Sequence, residues 1–253
     1  MPEETRFVGN GPVALGGSQI VDVVSWEFKP EFKLDELQLL KDPSAINVPV
    51  NAGWTGSLKM EFAYTPRSLS AIAFGAWQGI NVEEWGLDVE GNVEECTSPG
   101  DLWKVFQMTT FKWSMSAKKW QSTVDWRTFQ TMFNNQLNAG QSVQCTTPYG
   151  NGAAYLGPLT FGADGKPASA NIELRPALAT FVSTNALVQH ILTAANSVLQ
   201  NGFATPLSLT LGYNPARSFG SGTCFVSKAS FKGPVGKVTC DVEVQGTGTF
   251  NFA

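Results

Sequence analysis

Apolar and polar residues alternate along several stretches of this chain, which is the pattern of a strand with one buried face. Residues 20–32 place four large apolar side chains on one face: Val24, Trp26, Phe28 and Phe32. The alternation returns with greater regularity over residues 54–64. Between these two strands, residues 34–49 lose the alternation and carry charges and prolines, which predicts a long connecting loop at the tip of a hairpin.

Further strand patterns follow in the second half of the chain. Residues 103–115 alternate, and three shorter strand-like runs lie near the end, at residues 207–212, 224–231 and 237–246. The Gly- and Pro-containing turn at residues 232–236 joins the last two runs, so we expect an antiparallel hairpin there.

The strongest helix pattern covers residues 184–201, where apolar residues recur every three or four positions. Ser183 or Thr184 is the candidate N-cap, and Gly202 stands just past the end. We therefore expect a helix that packs on a sheet.

Two weaker helix patterns precede it. Residues 126–138 follow Asp125, a candidate N-cap, and end shortly before Gly140. Residues 66–78 begin with a proline, which suits the first turn of a short helix.

Composition and charge narrow the class of protein. The chain has 253 residues, a formal net charge of −4 and a pI of about 5.1. Its 17 basic residues are scattered, which argues against nucleic-acid binding through counterion release. No run reaches the ~18 to 20 continuous apolar residues that a membrane-spanning helix needs. The acidic first residues do not form a secretory signal, so we expect the chain to fold in a cytoplasm.

Candidate catalytic groups are few. The only histidine, His190, falls at the border of the apolar stripe of the strongest helix, so we expect a partly covered helix residue and not a general base. The four cysteines share no CxxC spacing and are expected to be ordinary core or surface residues. The glycine-rich stretches lack the spacing of a phosphate-binding loop. The sequence therefore predicts no enzyme, no metal site and no cofactor.

One segment concentrates negative charge. Six carboxylates and no basic residue fall between Glu83 and Glu95. Such a run favours a solvated loop, and an acidic surface with a function of its own is the alternative.

Four segments of the chain resemble a known family. They are residues 13–18, 20–28, 53–60 and 223–248. The first three are similar to the start of the tail tube (major tail) proteins of long-tailed bacteriophages. The fourth, a Pro-Gly turn followed by alternating valines, is similar to that family's closing hairpin. In all, the resemblance covers about residues 7–65 and 180–253.

The resemblance implies a mainly β fold in which two antiparallel sheets pack as a sandwich or barrel beside a flanking α-helix. Residues 1–65 and 180–253 would form this tail-tube-like domain, and residues 66–179 would be a large middle insertion or a second subdomain of unknown role. Two tandem tube-like halves are the alternative. No internal repeat aligns convincingly in the sequence, so the insertion is preferred.

The resemblance also implies a structural virion protein. Copies would close into six-membered rings through their sheet edges, and the rings would stack into the hollow tail tube through which phage DNA is ejected. Further partners would be the tape measure, tail terminator and tail tip proteins. The protein would be located in the virion tail after synthesis in the host bacterial cytoplasm.

Two sets of residues are expected to serve this assembly. The hairpin tip carries apolar residues that would anchor one ring on the next, namely Leu37, Leu39, Leu40 and Ile46. The alternative is that this loop folds back on its own domain. An acidic or neutral lumen would repel DNA phosphates and let the genome slide. The candidate lumen-facing carboxylates are Glu27, Glu31 and Asp35, with Lys29 in the same row weakening the case.

Two other functions stay open at this point. One is a soluble β-rich binding or enzymatic protein with a pocket lined by Trp103, Trp113, Trp120 and Trp126. The other is the related ring protein of contractile secretion systems, which shares the tube fold.

Overall fold

A computed structural model describes residues 6–20, 22–38, 45–63, 73–75, 77–81, 84–122, 126–162, 169–214, 217–234 and 237–253. These residues form fifteen β-strands and two α-helices. The strands before the first helix are β1 (Phe7–Gly9), β2 (Val13–Leu15), β3 (Ser18–Ile20), β4 (Val23–Gln38), β5 (Ala45–Ala63), β6 (Ala73–Phe74), β7 (Trp77–Asn81), β8 (Glu84–Glu95) and β9 (Phe106–Ser122). The remaining elements are α1 (Trp126–Ala139), β10 (Val143–Thr147), β11 (Gly150–Gly162), β12 (Ser169–Val182), α2 (Ala186–Asn201), β13 (Leu207–Asn214), β14 (Arg217–Pro234) and β15 (Lys237–Phe252).

The prediction of a mainly β, antiparallel protein is confirmed. Hydrogen-bonded ladders join all fifteen strands into one network, in which the long strands lie side by side in the order β4-β5-β15-β14-β8-β9-β12-β11. We call these eight strands the long sheet. The expected closing hairpin is present as β14 and β15, which pair from Gly220 with Phe252 to Lys232 with Thr239.

The prediction of a long loop at residues 34–49 is wrong for residues 34–38 and 45–49, which belong to β4 and β5. β4 and β5 continue to pair through it, from Leu34 with Pro49 to Gln38 with Ala45. The ladder shifts register between Lys33 and Leu34. A bulge of this kind exchanges the two faces of a strand, so the alternation of side chains breaks although the strand continues.

The acidic segment is also a strand and not a solvated loop. β8 buries Trp85, Leu87 and Val89 on one face and keeps its carboxylates on the other. The short helix expected over residues 66–78 is wrong where the structure describes it, because residues 73–74 and 77–81 belong to β6 and β7.

The helix predictions for residues 184–201 and 126–138 are confirmed, with one change of cap. α2 begins at Ala186, and the cap is Asn185, whose side chain accepts from the backbone amides of Leu187 and Val188. The glycines after the two helices, Gly140 and Gly202, adopt positive φ of 62° and 79°. Asp125, the expected cap of α1, lies outside the described residues.

The strands fall into two groups with the same pattern of strand pairing. In the sequence, one group lies between the two parts of the other. The flanking group comprises β2–β5, α2 and β13–β15, and the central group comprises β6–β9, α1 and β10–β12. In the flanking group, the β4–β5 hairpin pairs through β5 with β15. In the central group, the β8–β9 hairpin pairs through β9 with β12. The short strands match too, since β2 pairs with β13 as β6 pairs with β10.

Registers match at the level of single residues. Each hairpin carries one buried tryptophan in its first strand and another in its second: Trp26 and Trp54 in one, Trp85 and Trp113 in the other. Trp54 pairs with Pro30 of β4, and Trp113 pairs with Val89, which is the equivalent residue of β8. The spacing between the two tryptophans is the same in both hairpins.

Irregularities of the ladders recur at equivalent positions. The shift between Lys33 and Leu34 in β4–β5 has its counterpart between Asn92 and Val93 in β8–β9. The β14–β15 ladder shifts register directly after the pair Val226–Val244. The β11–β12 ladder shifts register directly after the equivalent pair, Leu156–Leu174. Since bulges are specific features of a fold, their repetition identifies the two groups as copies of one architecture.

The packing around one glycine is repeated as well. A Cβ atom added to Gly222 would lie 2.8 Å from the Trp54 ring and 3.0 Å from the Phe250 ring, so only glycine lets these rings close on the strand. The equivalent trio in the central group is Gly152, Trp113 and Phe181. The sequence analysis found no internal repeat, because most other positions differ between the copies.

β14 and β8 join the two groups edge to edge. Residues 228–234 of β14 pair with residues 84–90 of β8 in seven antiparallel pairs. Phe231 of β14 is fully buried and stacks on Tyr149 of the central group, with 4.5 Å between the ring centroids. One group therefore supplies a strand end and an aromatic ring to the core of the other.

We expect Phe231→Ala to lower the free energy of unfolding by ~3 to 5 kcal/mol, because it empties a core position at the junction of the two groups. Urea denaturation followed by tryptophan fluorescence measures this change. Leu199→Ala is the matched control, since Leu199 is 75% exposed, and should change the stability by less than ~0.5 kcal/mol. Equal effects of the two substitutions would contradict the junction described here.

Candidate functional site

The long sheet presents one continuous polar face, opposite the face that carries the buried tryptophans. Shallow grooves cross it between neighbouring strands. One groove is lined by Glu27, Lys29, Thr55, Ser57, Glu243 and Gln245 among others. Another crosses the β14–β8 junction and is lined by Asp88, Glu90, Lys112, Ser114 and Lys228 among others.

Acidic and basic side chains pair across the strands of this polar face. Glu90 Oε2 lies 2.7 Å from Lys112 Nζ, and Glu90 Oε1 lies 3.2 Å from Lys228 Nζ. The hydrogen bond from Lys112 is the main cause that holds the pKa of Glu90 below its ordinary value of 4.5, and Lys228 lowers it further against the opposing effect of burial. The hydrogen bond to Glu90 in turn raises the pKa of Lys228. The charges of this face therefore largely compensate one another.

Two of the three predicted lumen carboxylates lie on the polar face. Glu27 and Glu31 are half-buried on β4. Each has a basic neighbour, with Glu27 Oε1 at 3.6 Å from Arg6 Nη1 and Glu31 Oε2 at 3.5 Å from Lys104 Nζ. The side chain of Asp35 lies outside the described residues.

The predicted stacking residues are described only in part. Leu37 and Ile46 pair with each other near the end of the β4–β5 ladder, where the backbone alone is described. Leu39 and Leu40 lie outside the described residues. Whether these side chains form an interface stays a prediction.

The structure describes the side chains of two of the four tryptophans suggested as a pocket. Trp113 is buried in the core and packs on Phe181, and Trp103 is partly buried. The side chains of Trp120 and Trp126 lie outside the described residues.

Burial shifts the pKa values of the histidine and of three of the four cysteines. His190 stacks on Phe225, and burial lowers its pKa to about 4. Burial raises the pKa of three thiols to about 12, which keeps them protonated and unreactive: Cys145, Cys224 and Cys240. The fourth, Cys96, is exposed. Among the described residues, no cluster of three or more His, Cys, Asp or Glu side chains could hold a metal ion.

The last strand of the long sheet, β11, has an open edge. Its residues 150–154 pair with β10. Beyond them, no strand in the described part of the chain pairs with this edge of β11. The amide side chain of Gln136, on α1, accepts from Leu156 N at 2.8 Å and donates to Leu156 O at 3.0 Å. Residues 158–162 follow without a strand partner on this side among the described residues, and such an edge is a template for a further strand.

The helix beside this edge is exposed, whereas its counterpart is buried. α2 lies against β8, β9 and β14 and buries six residues, among them Ile191 and Ala195. In α1, none of the described side chains is buried, and Phe133 is 39% exposed. Counted back from the glycine after each helix, Phe133 occupies the position of Ala195. The sequence pattern predicted both helices, but the difference in burial between their described side chains becomes visible only when the two groups are compared.

At the opposite end of the long sheet, β1 covers part of the edge of β4. Phe7, Val8 and Gly9 pair with residues 26–28 of β4. Farther along β4, toward Glu31, no described strand pairs with this edge. At both ends of the long sheet, the described strands thus leave part of the edge without a partner.

Comparison with protein-family models and with curated proteins finds no match for this chain. None of the described helices has the length and apolar character that a membrane span requires. The functional argument therefore depends on the polar face and the two edges of the long sheet.

We expect Glu90→Gln to lower the free energy of unfolding at pH 7 by ~0.5 to 1 kcal/mol, because two partly exposed ion pairs are lost. The folded-state pKa of Glu90 is lowered, so its contribution is complete above the unfolded value of about 4.5 and disappears as the pH falls through the folded value. Urea denaturation from pH 7 to pH 3 measures this trend. High salt should also shrink the difference. A difference that is unchanged at pH 3 would contradict the assignment.

Proposed function

We propose that this chain is a structural protein that assembles into stacked rings around a hollow tube, as a tail tube protein of a long-tailed bacteriophage. The observation that carries the proposal is the long sheet, which has one polar face, one core face and, at both ends, an edge that the described strands pair only in part. A sheet of this kind satisfies its edges when copies close into a cylinder. The sequence resemblance in the opening strands and the closing hairpin points to the same assembly.

In this proposal, each group of strands folds as a sandwich or barrel of the tail-tube type. The flanking group corresponds to the expected domain of residues 1–65 and 180–253, and the central group to the insertion at residues 66–179. The repeated registers support the view that the insertion is itself a tube-like domain. The tip of the β4–β5 hairpin, with Leu37 and Ile46, would reach the next ring.

The polar face would line the lumen. DNA carries about one negative charge per 1.7 Å of its axis, so a basic lining would retain it. Here the basic side chains are paired with carboxylates, as Lys112 and Lys228 are with Glu90. Such a lining neither binds the phosphates nor provides specific contacts, which suits a channel through which DNA passes. The tape measure, tail terminator and tail tip proteins would be the remaining partners in the virion tail.

Purified wild-type protein should form rings or tubes with a central hole when it is concentrated, because the open edges are then satisfied by other copies. Negative-stain electron microscopy and analytical ultracentrifugation measure this directly. A protein that stays monomeric at millimolar concentration, or that forms only irregular aggregates, would contradict the proposal.

Tubes that carry Asp241→Lys and Glu243→Lys should retain fluorescent DNA during sedimentation, whereas wild-type tubes should release it. Both residues are exposed on β15 and line grooves of the polar face. The retention should weaken steeply with salt.

A matched control adds the same positive charge elsewhere. Thr193, Asn196, Gln200 and Asn201 are exposed on α2, on the other side of the sheet. Tubes with all four replaced by lysine should retain less DNA inside the lumen than the β15 variant, as judged by protection from nuclease. Equal protection in both variants would contradict the polar face as the lumen.

A further inference from the structure

The turn of the β8–β9 hairpin, residues 96–105, forms a second contact between the two groups of strands. It reaches the flanking group where the β5–β15 ladder ends. Ala52 N of β5 donates to Leu102 O, and Lys104 N donates to Ala52 O. On the other side of the turn, Gly248 N of β15 donates to Lys104 O. The turn therefore fills the gap between the two strands.

One side chain of the turn lies on the strand beside it. A Cβ atom added to Gly53 would lie 2.9 Å from Lys104 Cδ and 3.6 Å from Lys104 Cβ, so a larger residue at position 53 would displace this lysine. Lys104 Nζ lies 3.5 Å from Glu31 Oε2. The internal contact therefore combines a lysine in the turn, a glycine in the strand and a carboxylate that pairs with the lysine.

The β4–β5 hairpin has a turn of the same length at the equivalent place. The pair Leu34–Pro49 corresponds to the pair Val93–Met108, because each follows directly on the register shift of its ladder. The same number of residues lies between the two members of each pair. Counted from these pairs, Ala45 occupies the position of Lys104, so the turn lysine has become an alanine.

The strand residue beside the turn is exchanged in the opposite sense. Lys112 of β9 occupies the position of Gly53, because each directly precedes the second tryptophan of its hairpin. Both pair with a glutamate across the ladder, Gly53 with Glu31 and Lys112 with Glu90. Lys112 Nζ lies 2.7 Å from Glu90 Oε2 and supplies the cation that the turn lysine supplies for Glu31. A strand with lysine at this position suits a turn with alanine, both in size and in charge.

The central group has a gap where this strand position lies. Its β9–β12 ladder ends at Met115 with Leu174, although both strands continue beyond this pair. Pro176 of β12 is exposed there, whereas its equivalent in β15, Gly246, is buried. On β9, Lys112 is exposed as well. The surface that the turn covers in the flanking group is therefore open to solvent in the central group.

A buried indole group supports the same conclusion. In the flanking group, Trp54 Nε1 donates to Gly248 O at 3.2 Å, and Lys104 O holds the N–H of the same glycine. The equivalent Trp113 is 2% exposed, and its Nε1 has no hydrogen-bond partner among the described residues. A buried donor without an acceptor costs free energy. A turn seated between β9 and β12 would hold the β12 backbone in the same way and bring a carbonyl group to this donor.

We infer that the β4–β5 turn of one copy is seated between β9 and β12 of a second copy, as residues 102–104 are seated between β5 and β15 within the chain. In this contact Ala45 N donates to Phe111 O, which is the equivalent of Ala52 O. Ala45 lies beside Lys112 of the second copy, in the place where Lys104 lies beside Gly53.

The direction of the turn selects another copy as the partner. In the strand order of the long sheet, the β8–β9 turn reaches past β14 to β15 and β5. β4 is the first of these long strands, so the same step from the β4–β5 hairpin leads beyond the chain's own long sheet. Each copy therefore uses two different surfaces, and such a heterologous contact propagates until a ring closes.

This inference deepens the proposed function, on which the closure into a ring rests. It assigns the backbone at Ala45 to the contact within a ring. Residues 39–43 correspond to residues 98–102, all of which stay exposed in the seated β8–β9 turn. The contact therefore leaves this part of the tip for the next ring.

Cross-linking tests the contact at the exchanged positions. In a Cys96→Ser background, Ala45→Cys and Lys112→Cys together place two cysteines where the internal contact has a Cβ separation of 3.6 Å, which suits a disulfide. Mild oxidation should give covalent multimers on non-reducing electrophoresis. A mixture of the two single variants should give a covalent dimer with one chain of each kind, identified by mass spectrometry.

The matched control is Gly53→Cys with Lys104→Cys in the same background. These positions meet within the chain, so the oxidised product should be a monomer with an internal disulfide. The inference would be overturned if the Ala45→Cys and Lys112→Cys pair also closed within one chain, or if it stayed reduced while the control closed.

Exchange of the two residues tests the match of size and charge. Ala45→Lys alone brings a second lysine against Lys112, so it should weaken association ~10-fold or more in analytical ultracentrifugation. Adding Lys112→Gly should restore association, because the pair then repeats Lys104 beside Gly53. Thr193→Lys, at an exposed position of α2, adds the same charge and should associate as the wild type does. Equal losses in the single and the double variant would contradict the match.

The outcomes separate this inference from the proposed function. Hollow rings whose Ala45→Cys and Lys112→Cys chains do not cross-link would overturn the contact and leave the function in place. Cross-linked chains that form open filaments without a central hole would support the contact and contradict the function. A wild-type protein that is monomeric at high concentration would overturn both.

Discussion

Strand edges need partners, and this constraint organises the molecule. Each edge presents N–H and C=O groups that lose free energy when they are buried without a hydrogen bond. Within the chain, β14 satisfies the edge of β8, and Phe231 completes the neighbouring core at the same time. Among the described residues, the edge of β4 at one end of the long sheet pairs with the short strand β1, and the edge of β11 at the other end pairs with β10 and then with the side chain of Gln136. The assembly that we propose extends one internal solution to these remaining edges.

The two groups of strands have the same skeleton but different surfaces. Tryptophans, close-packed glycines and bulges recur at matching positions, because they determine how the ladders twist and how the core closes. The helices differ instead: α2 buries six residues, whereas none of the described side chains of α1 is buried.

Sequence patterns predicted the regular parts of the fold and missed the parts that depend on pairing. The closing hairpin, both helices and the glycine after each helix follow from local periodicity. The β4–β5 extension was missed because Val50 forms a bulge in β5, opposite Lys33 and Leu34, and inverts the alternation of that strand. β8 was missed because the six acidic residues of its segment masked three buried apolar residues. The open edge of β11 was out of reach, since an edge is defined by strands that are distant in sequence. The carboxylates Glu27 and Glu31 were placed on a polar face correctly, and their basic neighbours were not foreseen.

A three-dimensional reconstruction of the assembled particle by electron cryomicroscopy is the most direct measurement of the central claim. The account predicts hollow rings that stack into a tube, with the polar face of the long sheet toward the lumen and the ends of the sheet paired with strands of neighbouring copies. A reconstruction without a central hole, or one in which another face of the long sheet lines it, would contradict the account.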